Sequence, residues 1–160
     1  MRNVDPLISS IDATWFGAGL SAGSQARLAA LAHEYQAPAG AHLLREGEDT
    51  REFSLLLYGR VSLSEHVPGR GAVTLLTVEP GDVFGWSAVV PPFRATSSVV
   101  AMEPVGVLAF DGAQLRSAVR SDVELAASLY QQVLEAVARR LVATRHQLLD
   151  LYRAEAAEPW

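Results

Sequence analysis

Residues 79–101 read EPGDVFGWSAVVPPFRATSSVVA, and this stretch decides how the chain is expected to fold. It opens with the turn Pro-Gly-Asp at 80–82, in which proline presets one backbone angle and glycine permits a reversal. The next two apolar residues predict a short strand, which Gly85 ends. After the Pro-Pro pair at 91–92, the residues 95–101 are β-prone and predict a second strand. The segment therefore predicts two strands joined by a glycine-containing loop.

The loop has the features of an anion site. Gly85 followed by a short segment with Ser87 near its first turn places several unpaired N–H groups together. Arg94 lies just beyond and offers a fork of donors, although a solvated loop position is equally compatible with the pattern. Trp86 could stack on a ligand ring, but packing in the core or an interface is the favoured interpretation. Ser87 could bind an anion, cap a short helix, or do both.

Turn residues recur about every 8 to 12 positions across residues 35–110, with short β-prone runs between them. Regular spacing of short strands is typical of a barrel, jelly roll or sandwich. Residues 1–34 are predicted to be helical instead: Asp5 is the expected cap of a first helix ending near Gly17 and Gly19, and Ser21 the cap of a second. The sequence therefore predicts an α+β fold.

Residues 111–157 are predicted to form a short helix capped by Asp111 and then one long helix over 123–156, which contains no proline or glycine. Apolar residues spaced by three and four predict a stripe on that helix. We expect its first half to dock on the chain's own core and its second half to form a homodimer. Arg139 and Arg140 could face a pocket or pair with Glu135 one turn earlier, and pairing is the default expectation for charges on a long helix. The predicted stripe consists of Ala126, Tyr130, Val133, Val137, Leu141, Thr144, Leu148 and Leu151.

Composition excludes several classes of function. The 160 residues fit one domain, and cysteine is absent, so the expected location is a reducing cytoplasm. No apolar run is long enough to span a membrane. The net charge of −5 argues against general binding of nucleic acid. Nucleophile and zinc-protease motifs are absent, so no enzyme activity or catalytic residue is predicted. The histidines lack metal-ligand spacing, and no metal site is predicted; they are His33, His42, His66 and His146.

The order of elements resembles the cyclic nucleotide-binding domain of bacterial catabolite activator proteins and of cyclic-nucleotide-regulated kinases and channels. The resemblance is carried by Glu46-Gly47-Glu48, by LLLYGRV at 55–61, by PGDVFG at 80–85 and by ARRL at 138–141 followed by Thr144. It covers nearly the whole chain and implies a single domain, 1–160, built around an eight-stranded antiparallel, jelly-roll-like β-roll. The regions at 1–34 and 111–157 would supply N-terminal helices and a long C-terminal helix.

The resemblance also implies a ligand site, with the phosphate-binding cassette on the loop and a hydroxyl residue on the long helix. Any ligand would be a nucleotide or another small anion, and no other cofactor is implied. Thr144 and Arg145 would approach this ligand from the helix. The predicted ligand-binding residues are Phe84, Gly85, Trp86, Ser87, Ala88, Arg94, Ala95, Thr96, Thr144 and Arg145.

Two positions depart from the family's cassette. Trp86 stands where a glutamate accepts the ribose 2′-hydroxyl, and an indole N–H cannot act as an ionised acceptor. The phosphate-binding arginine falls on Ala95 in one register, whereas a shorter loop would place Arg94 there. Because neighbouring strand residues face opposite sides, one residue of offset decides whether the guanidinium enters the pocket. Both registers remain open from the sequence.

The expected function is a regulatory, signal-transducing sensor module with a divergent cassette, acting through contacts with a protein partner. The family's transcription factors place a DNA-binding domain after the long helix, whereas this sequence ends at Trp160, so no DNA binding is expected. The alternatives are an interaction scaffold that binds no nucleotide and, as a minor possibility, a cupin-like β-barrel enzyme.

Overall fold

The computed structural model describes residues 4–156. The parts of the predicted regions at 1–3 and 157–160 lie outside the described residues. The structure contains five α-helices, one short 3-10 helix and eight strands within this range. In chain order these are α1 (Asp5–Asp12), α2 (Trp15–Ala18), α3 (Ala22–Leu31), β1 (Ala32–Ala37), β2 (His42–Leu44), β3 (Glu52–Tyr58), β4 (Val61–Val67), β5 (Gly71–Val78), β6 (Val83–Phe84), the 3-10 helix (Trp86–Ala88), β7 (Ser98–Ala101), β8 (Val105–Asp111), α4 (Gly112–Ser121) and α5 (Val123–Ala156).

The strands form two four-stranded sheets in which every neighbouring pair is antiparallel. The first sheet has the order β1-β8-β3-β6, and the second has the order β2-β7-β4-β5. The predicted α+β class with an eight-stranded antiparallel β-roll, N-terminal helices and a long C-terminal helix is therefore confirmed.

Two apolar clusters hold these layers together. One contains Leu56, Val61 and Val107 and fills the space between the sheets. The other lies between the first sheet and the helices. In it, the ring of Phe53 lies 5.5 Å from that of Phe16 and 6.1 Å from that of Phe110. The central strands β3 and β8 contribute to both clusters, so the helices are part of the same core as the sheets.

The N-terminal boundaries differ from the prediction. α1 ends at Asp12 rather than near Gly17, because Thr14 accepts a hydrogen bond from the Gly17 N–H and starts the separate helix α2. The cap position of α1 is Val4, and Asp5 is already helical. β1 begins at Ala32, directly after α3, instead of at residue 35. The predicted Ser21 cap is confirmed by its contact with the Ser24 N–H.

The first half of α5 docks on the chain's own core, as predicted, but its buried face coincides only in part with the predicted stripe. Val133 of the stripe is buried, whereas Tyr130 is exposed, and most buried residues lie one position earlier along the helix. The amide of Gln132 occupies the space where a side chain at residue 19 would lie, so Gly19 admits this row against α2. Local shape therefore selects the docking face. The fully or nearly buried residues of α5 are Leu125, Leu129, Gln132, Val133 and Ala136.

The second half of α5 leaves the core. Beyond the half-buried Val137, large apolar side chains are exposed on the single chain. They are Leu141, Val142, Leu148, Leu149, Leu151 and Tyr152.

Removing a side chain from the buried row tests this docking. Leu129→Ala should lower the free energy of unfolding by about 2–5 kcal/mol, because it deletes a fully buried side chain and leaves a cavity. Leu134→Ala is the matched control: Leu134 lies on the same helix but is 68% exposed, and its loss should cost no more than about 0.5 kcal/mol. Urea unfolding of both variants measures the difference, and equal effects would contradict the described docking face.

Candidate functional site

Two cavities lie on either side of the loop that follows β6, and both are lined by Phe84 and Gly85. The cassette pocket, with about 20 Å³ of free space, is lined by Leu44, Leu63, Phe84, Gly85, Trp86, Ser87, Thr96, Ser97, Val99 and Arg140. The outer groove, with about 890 Å³, is lined by His42, Leu43, Leu44, Arg45, Gly47, Glu48, Asp49, Arg51, Glu52, Ser54, Phe84, Gly85, Arg94 and Asp111.

Gly85 sets the path of the backbone between the two cavities. Its φ of 71° is left-handed, a conformation that glycine adopts without steric cost. A Cβ at this position would lie 2.6 Å from the carbonyl oxygen of Glu52 on β3. The loop can therefore approach the first sheet this closely only with glycine at position 85.

Three sets of contacts fix the loop after Gly85. The buried hydroxyls of Thr50 and Ser87 lie 2.8 Å apart and share a hydrogen bond. Arg116 of α4 donates to the Ala88 carbonyl at 2.6 Å. Farther along, the Ala95 N–H donates to the Glu48 carbonyl at 2.9 Å. The loop is thus tied to the β2–β3 connection and to α4, and its shape is held from several sides.

These contacts determine the direction of the loop's arginine. Ala95 is buried, and the side chain of Arg94 is 64% exposed, lines the outer groove and lies 3.6 Å from the Asp49 carboxylate. Of the two registers open from the sequence, the described geometry therefore turns Arg94 away from the cassette pocket. The expected strand at 95–101 begins only at Ser98, and a bend that includes Thr96 and Ser97 forms part of the pocket wall.

The guanidinium in the cassette pocket comes instead from α5. Arg140 is 13% exposed, donates through Nη2 to the Val83 carbonyl, and lies 3.8 Å from the Asp82 carboxylate. Burial lowers the pKa of Arg140 below its usual value, and the nearby Asp82 carboxylate opposes that shift. Arg139 stacks its guanidinium 3.7 Å from the centre of the Trp15 ring. The default expectation that both arginines pair with Glu135 is therefore wrong.

The remaining predicted site residues lie in three kinds of environment. Phe84, Trp86, Ser87 and Thr96 line the cassette pocket, and Trp86 also packs against the core cluster next to the helices. Ala88 is buried behind the pocket. Thr144 and Arg145 are exposed and line neither cavity.

Arg140 is a pocket residue that the sequence interpretation considered for a pocket but did not select as ligand-binding. The available signal is its spacing from the buried residues Leu125, Leu129, Gln132 and Ala136, which continues to position 140 on the same helical face. A charged residue on a helical face whose other residues are buried indicates either an oppositely charged partner or a pocket.

The two cavities offer different chemistry. The cassette pocket combines an apolar wall with hydroxyl groups and one guanidinium, which suits a small anion attached to an apolar body. Its free space admits about one water molecule, so a larger ligand requires side chains to move. The outer groove is mostly polar and carries charges of both signs.

Two further kinds of site are absent from residues 4–156. Within that range, no group of three or more His, Asp or Glu side chains is placed to hold a metal ion. None of the helices in the same range is long and apolar enough to cross a membrane.

The chain resembles known proteins in both sequence and fold. Residues 34–122 match the sequence model of the family described as "Cyclic nucleotide-binding domain". The chain is 31% identical over 115 residues to the CRP-like cAMP-activated global transcriptional regulator of Mycobacterium tuberculosis, in strains CDC 1551 / Oshkosh and ATCC 25618 / H37Rv. The match covers 71% of this chain and 49% of those proteins, so the chain spans about half the length of the curated relatives it matches.

Solved structures share the fold. A protein from Geobacter metallireducens GS-15 proposed to bind cyclic nucleotides has a TM-score of 0.74 at 30% identity, covering 88% of this chain and 99% of that chain. A cyclic nucleotide-binding domain from Methylobacillus flagellatus KT has a TM-score of 0.78 at 19% identity, covering 92% of this chain and 83% of that chain.

A pair of glycine substitutions tests the close approach at the loop. Gly85→Ala and Gly69→Ala both force a left-handed alanine, which costs about 1–2 kcal/mol of stability. Only the Cβ at position 85 meets a backbone carbonyl, whereas nothing lies within 4 Å of one at position 69. Gly85→Ala should therefore lower the midpoint of thermal unfolding clearly more than Gly69→Ala does. Equal midpoints would show that the approach to Glu52 is not as close as described.

Proposed function

The chain belongs to the cyclic nucleotide-binding domain family, and from that membership we propose that it is a regulatory module that senses a small anionic ligand in the cassette pocket and signals through protein contacts. Cyclic nucleotides are weak ligands in this proposal, and the divergent cassette selects another anion. The absence of cysteine is compatible with a reducing cytoplasm, where we place the module.

The observation that carries the proposal is the composition of the pocket wall. The loop from Phe84 to Ser87 keeps its place between the cavities, and hydroxyl groups face the same pocket. Trp86, however, occupies the position at which the resemblance implies a glutamate, and the buried Ala95 occupies that of the arginine in one register. In the proposed cassette, the two ionised groups that the resemblance implies for recognising a ribose and a cyclic phosphate are therefore missing from these two positions.

One observation favours the second candidate, a scaffold that binds no nucleotide. The free space in the cassette pocket is only about 20 Å³, because side chains from both sheets and from α5 fill it. We rank the sensor first because a charged, largely buried Arg140 in the pocket wall is costly for a purely structural module.

The proposed output surface is the second half of α5. Its exposed apolar side chains would be buried by a second copy of the chain, giving a two-fold homodimer. A further protein partner would then recognise the dimer. The expectation that the chain does not bind DNA remains a prediction.

Ligand binding is tested by calorimetry with cyclic AMP and cyclic GMP. A lost hydrogen bond to a charged group weakens binding by about 1.5–3 kcal/mol, or roughly tenfold to over a hundredfold. We therefore expect either dissociation constants above about micromolar or no detectable binding. Trp86→Glu should strengthen binding by at least about tenfold, whereas Trp86→Gln, which lacks the charge, should gain less.

The possible outcomes separate the two candidates. Nanomolar binding of either nucleotide by the unaltered chain would contradict the proposed divergence of the cassette. Absence of binding by both the unaltered chain and Trp86→Glu would favour the scaffold.

Self-association is tested by light scattering at micromolar concentrations. Leu148→Glu combined with Leu151→Glu should convert a dimer to a monomer, because it buries like charges in the interface. His146→Glu combined with Arg153→Glu is the control, since these exposed residues lie on the opposite side of the helix. A monomeric unaltered chain, or dissociation by the control pair alone, would contradict the proposed interface.

A further inference from the structure

We propose that the outer groove is a second binding site, which takes a short peptide with a free amino terminus. The terminal ammonium group lies among the side chains of Glu52, Asp111 and Ser54, and the peptide backbone runs along the edge of β2. This site is independent of the proposed function, because it uses no polar side chain of the cassette pocket.

The outer groove is the open end of the space between the two sheets. On β3, the residues Glu52, Ser54 and Leu56 share one face, because side chains alternate along a strand, and Leu56 belongs to the apolar cluster between the sheets. On β8, Asp111 and Ala109 share a face in the same way, and Ala109 belongs to the same cluster. The polar side chains of the groove therefore continue the inner layer of the β-roll.

Two carboxylates face each other in this layer. Glu52 and Asp111 lie directly opposite in the register of β3 and β8, where like charges destabilise a sheet. One oxygen of each is engaged: Oε1 of Glu52 lies 3.0 Å from Nε2 of His33, and Oδ1 of Asp111 accepts from the Gln114 N–H at 2.8 Å. The second oxygen of each carboxylate remains, and a cation between them would offset the repulsion.

The buried hydroxyl of Ser54 supplies an independent sign of a ligand. Ser54 is 2% exposed and lines the groove, and its hydroxyl forms no hydrogen bond with any residue in the part of the chain that the structure describes. Buried hydroxyls are normally hydrogen-bonded. Together with the two carboxylate oxygens, this hydroxyl gives three acceptors, which matches the three donors of an ammonium group. Among residues 4–156, no set of three His, Asp or Glu side chains can hold a metal ion, which favours an organic cation.

The edge of β2 identifies the cation as part of a peptide. β2 is the outermost strand of the second sheet and pairs with β7. Its consecutive residues His42, Leu43 and Leu44 all line the groove. Because successive side chains point to opposite faces, a cavity that touches all three runs along the edge of the strand. The free backbone groups of such an edge pair with an extended peptide.

The arginines of the groove complement the other end of such a peptide. Arg45, Arg51 and Arg94 line the groove, and only Arg94 forms an ion pair within residues 4–156, with Asp49. Arg45 and Arg51 are therefore available to a terminal carboxylate. The volume of about 890 Å³ falls within the range of small-molecule pockets, and an extended tripeptide spans about 10 Å. A diamine, in contrast, would bring a second positive charge towards these arginines.

The proposal is tested by NMR titration of the isotope-labelled chain with trialanine, up to about ten millimolar. We expect chemical-shift changes at the amides of residues 42–45 and 51–54, without changes at Trp86 and Thr96, and a dissociation constant of about one millimolar or below. N-acetyl-trialanine, which lacks the ammonium group, should bind at least about tenfold more weakly. Cadaverine, a diamine without a peptide backbone, should also bind more weakly than trialanine.

Near-isosteric substitutions test the three acceptors. Glu52→Gln and Asp111→Asn should each weaken trialanine binding at least about tenfold, because each removes a charge, and asparagine still caps α4. Ser54→Ala should weaken it about threefold or more. Glu34→Gln is the matched control: Glu34 is exposed on β1 and lines neither cavity, and its substitution should change the affinity by less than about twofold.

A second measurement needs no ligand. Glu52→Gln should raise the midpoint of thermal unfolding by about 1–4 °C more in the unaltered chain than in Asp111→Asn, because the repulsion exists only when both carboxylates are present. Equal effects in the two backgrounds would contradict the opposed carboxylates.

The outcomes decide each part of the proposal. Shifts confined to the groove that are lost on acetylation and in Asp111→Asn support it. Equal binding of trialanine and its acetylated form overturns the role of the ammonium group, and equal binding of trialanine and cadaverine overturns the assignment to a peptide. Absence of shifts up to about ten millimolar, or shifts at Trp86 and Thr96 instead, overturns the site. The calorimetry with cyclic nucleotides tests the cassette pocket separately.

Discussion

The double burial of the central strands β3 and β8 is the constraint on which the rest of the structure depends. One face of these strands packs against the second sheet, and the other packs against the helices. The second face is apolar and cannot be left in water without losing the stabilisation that its burial provides. The first half of α5 is therefore part of the folding core. Any signal carried by the helix starts in a segment that the β-roll requires for its stability.

The candidate site follows from this arrangement. β6 is a two-residue strand at the sheet edge, and the loop after it is held by Gly85 against Glu52 and by Ser87 against Thr50. The β-roll side of the pocket is accordingly fixed by backbone approach and buried hydroxyls. The α5 side is held by one long side chain, that of Arg140, whose guanidinium is reached through several rotatable bonds. The adjustable part of the pocket is the part supplied by the helix.

Much of the fold could be predicted from the sequence, because its signals are local. Turn residues such as Pro80 and Gly81 punctuate the strands, and the caps Ser21 and Asp111 mark the starts of helices. The docking face of α5 could be predicted only in part, since apolar residues occur in two neighbouring rows and the fit of Gln132 against Gly19 favours the earlier one. The direction of the Arg94 side chain could not be predicted either, because a shift of one residue in the register of the following strand reverses it. A pocket position for Arg140 was considered but not preferred, because its partners, Asp82 and the Val83 carbonyl, are distant in sequence.

The length of α5 beyond its docked half has a mechanical consequence. From Arg140 to Ala156 the helix continues for 16 residues, or about 24 Å at 1.5 Å per residue. An α-helix transmits a change of direction at its base along its whole length, so it acts as a lever arm. A tilt of about 10° at Arg140 would displace the far end sideways by about 4 Å. A small rearrangement at the pocket would thus be magnified into a sideways displacement of any surfaces that the end of the helix brings together.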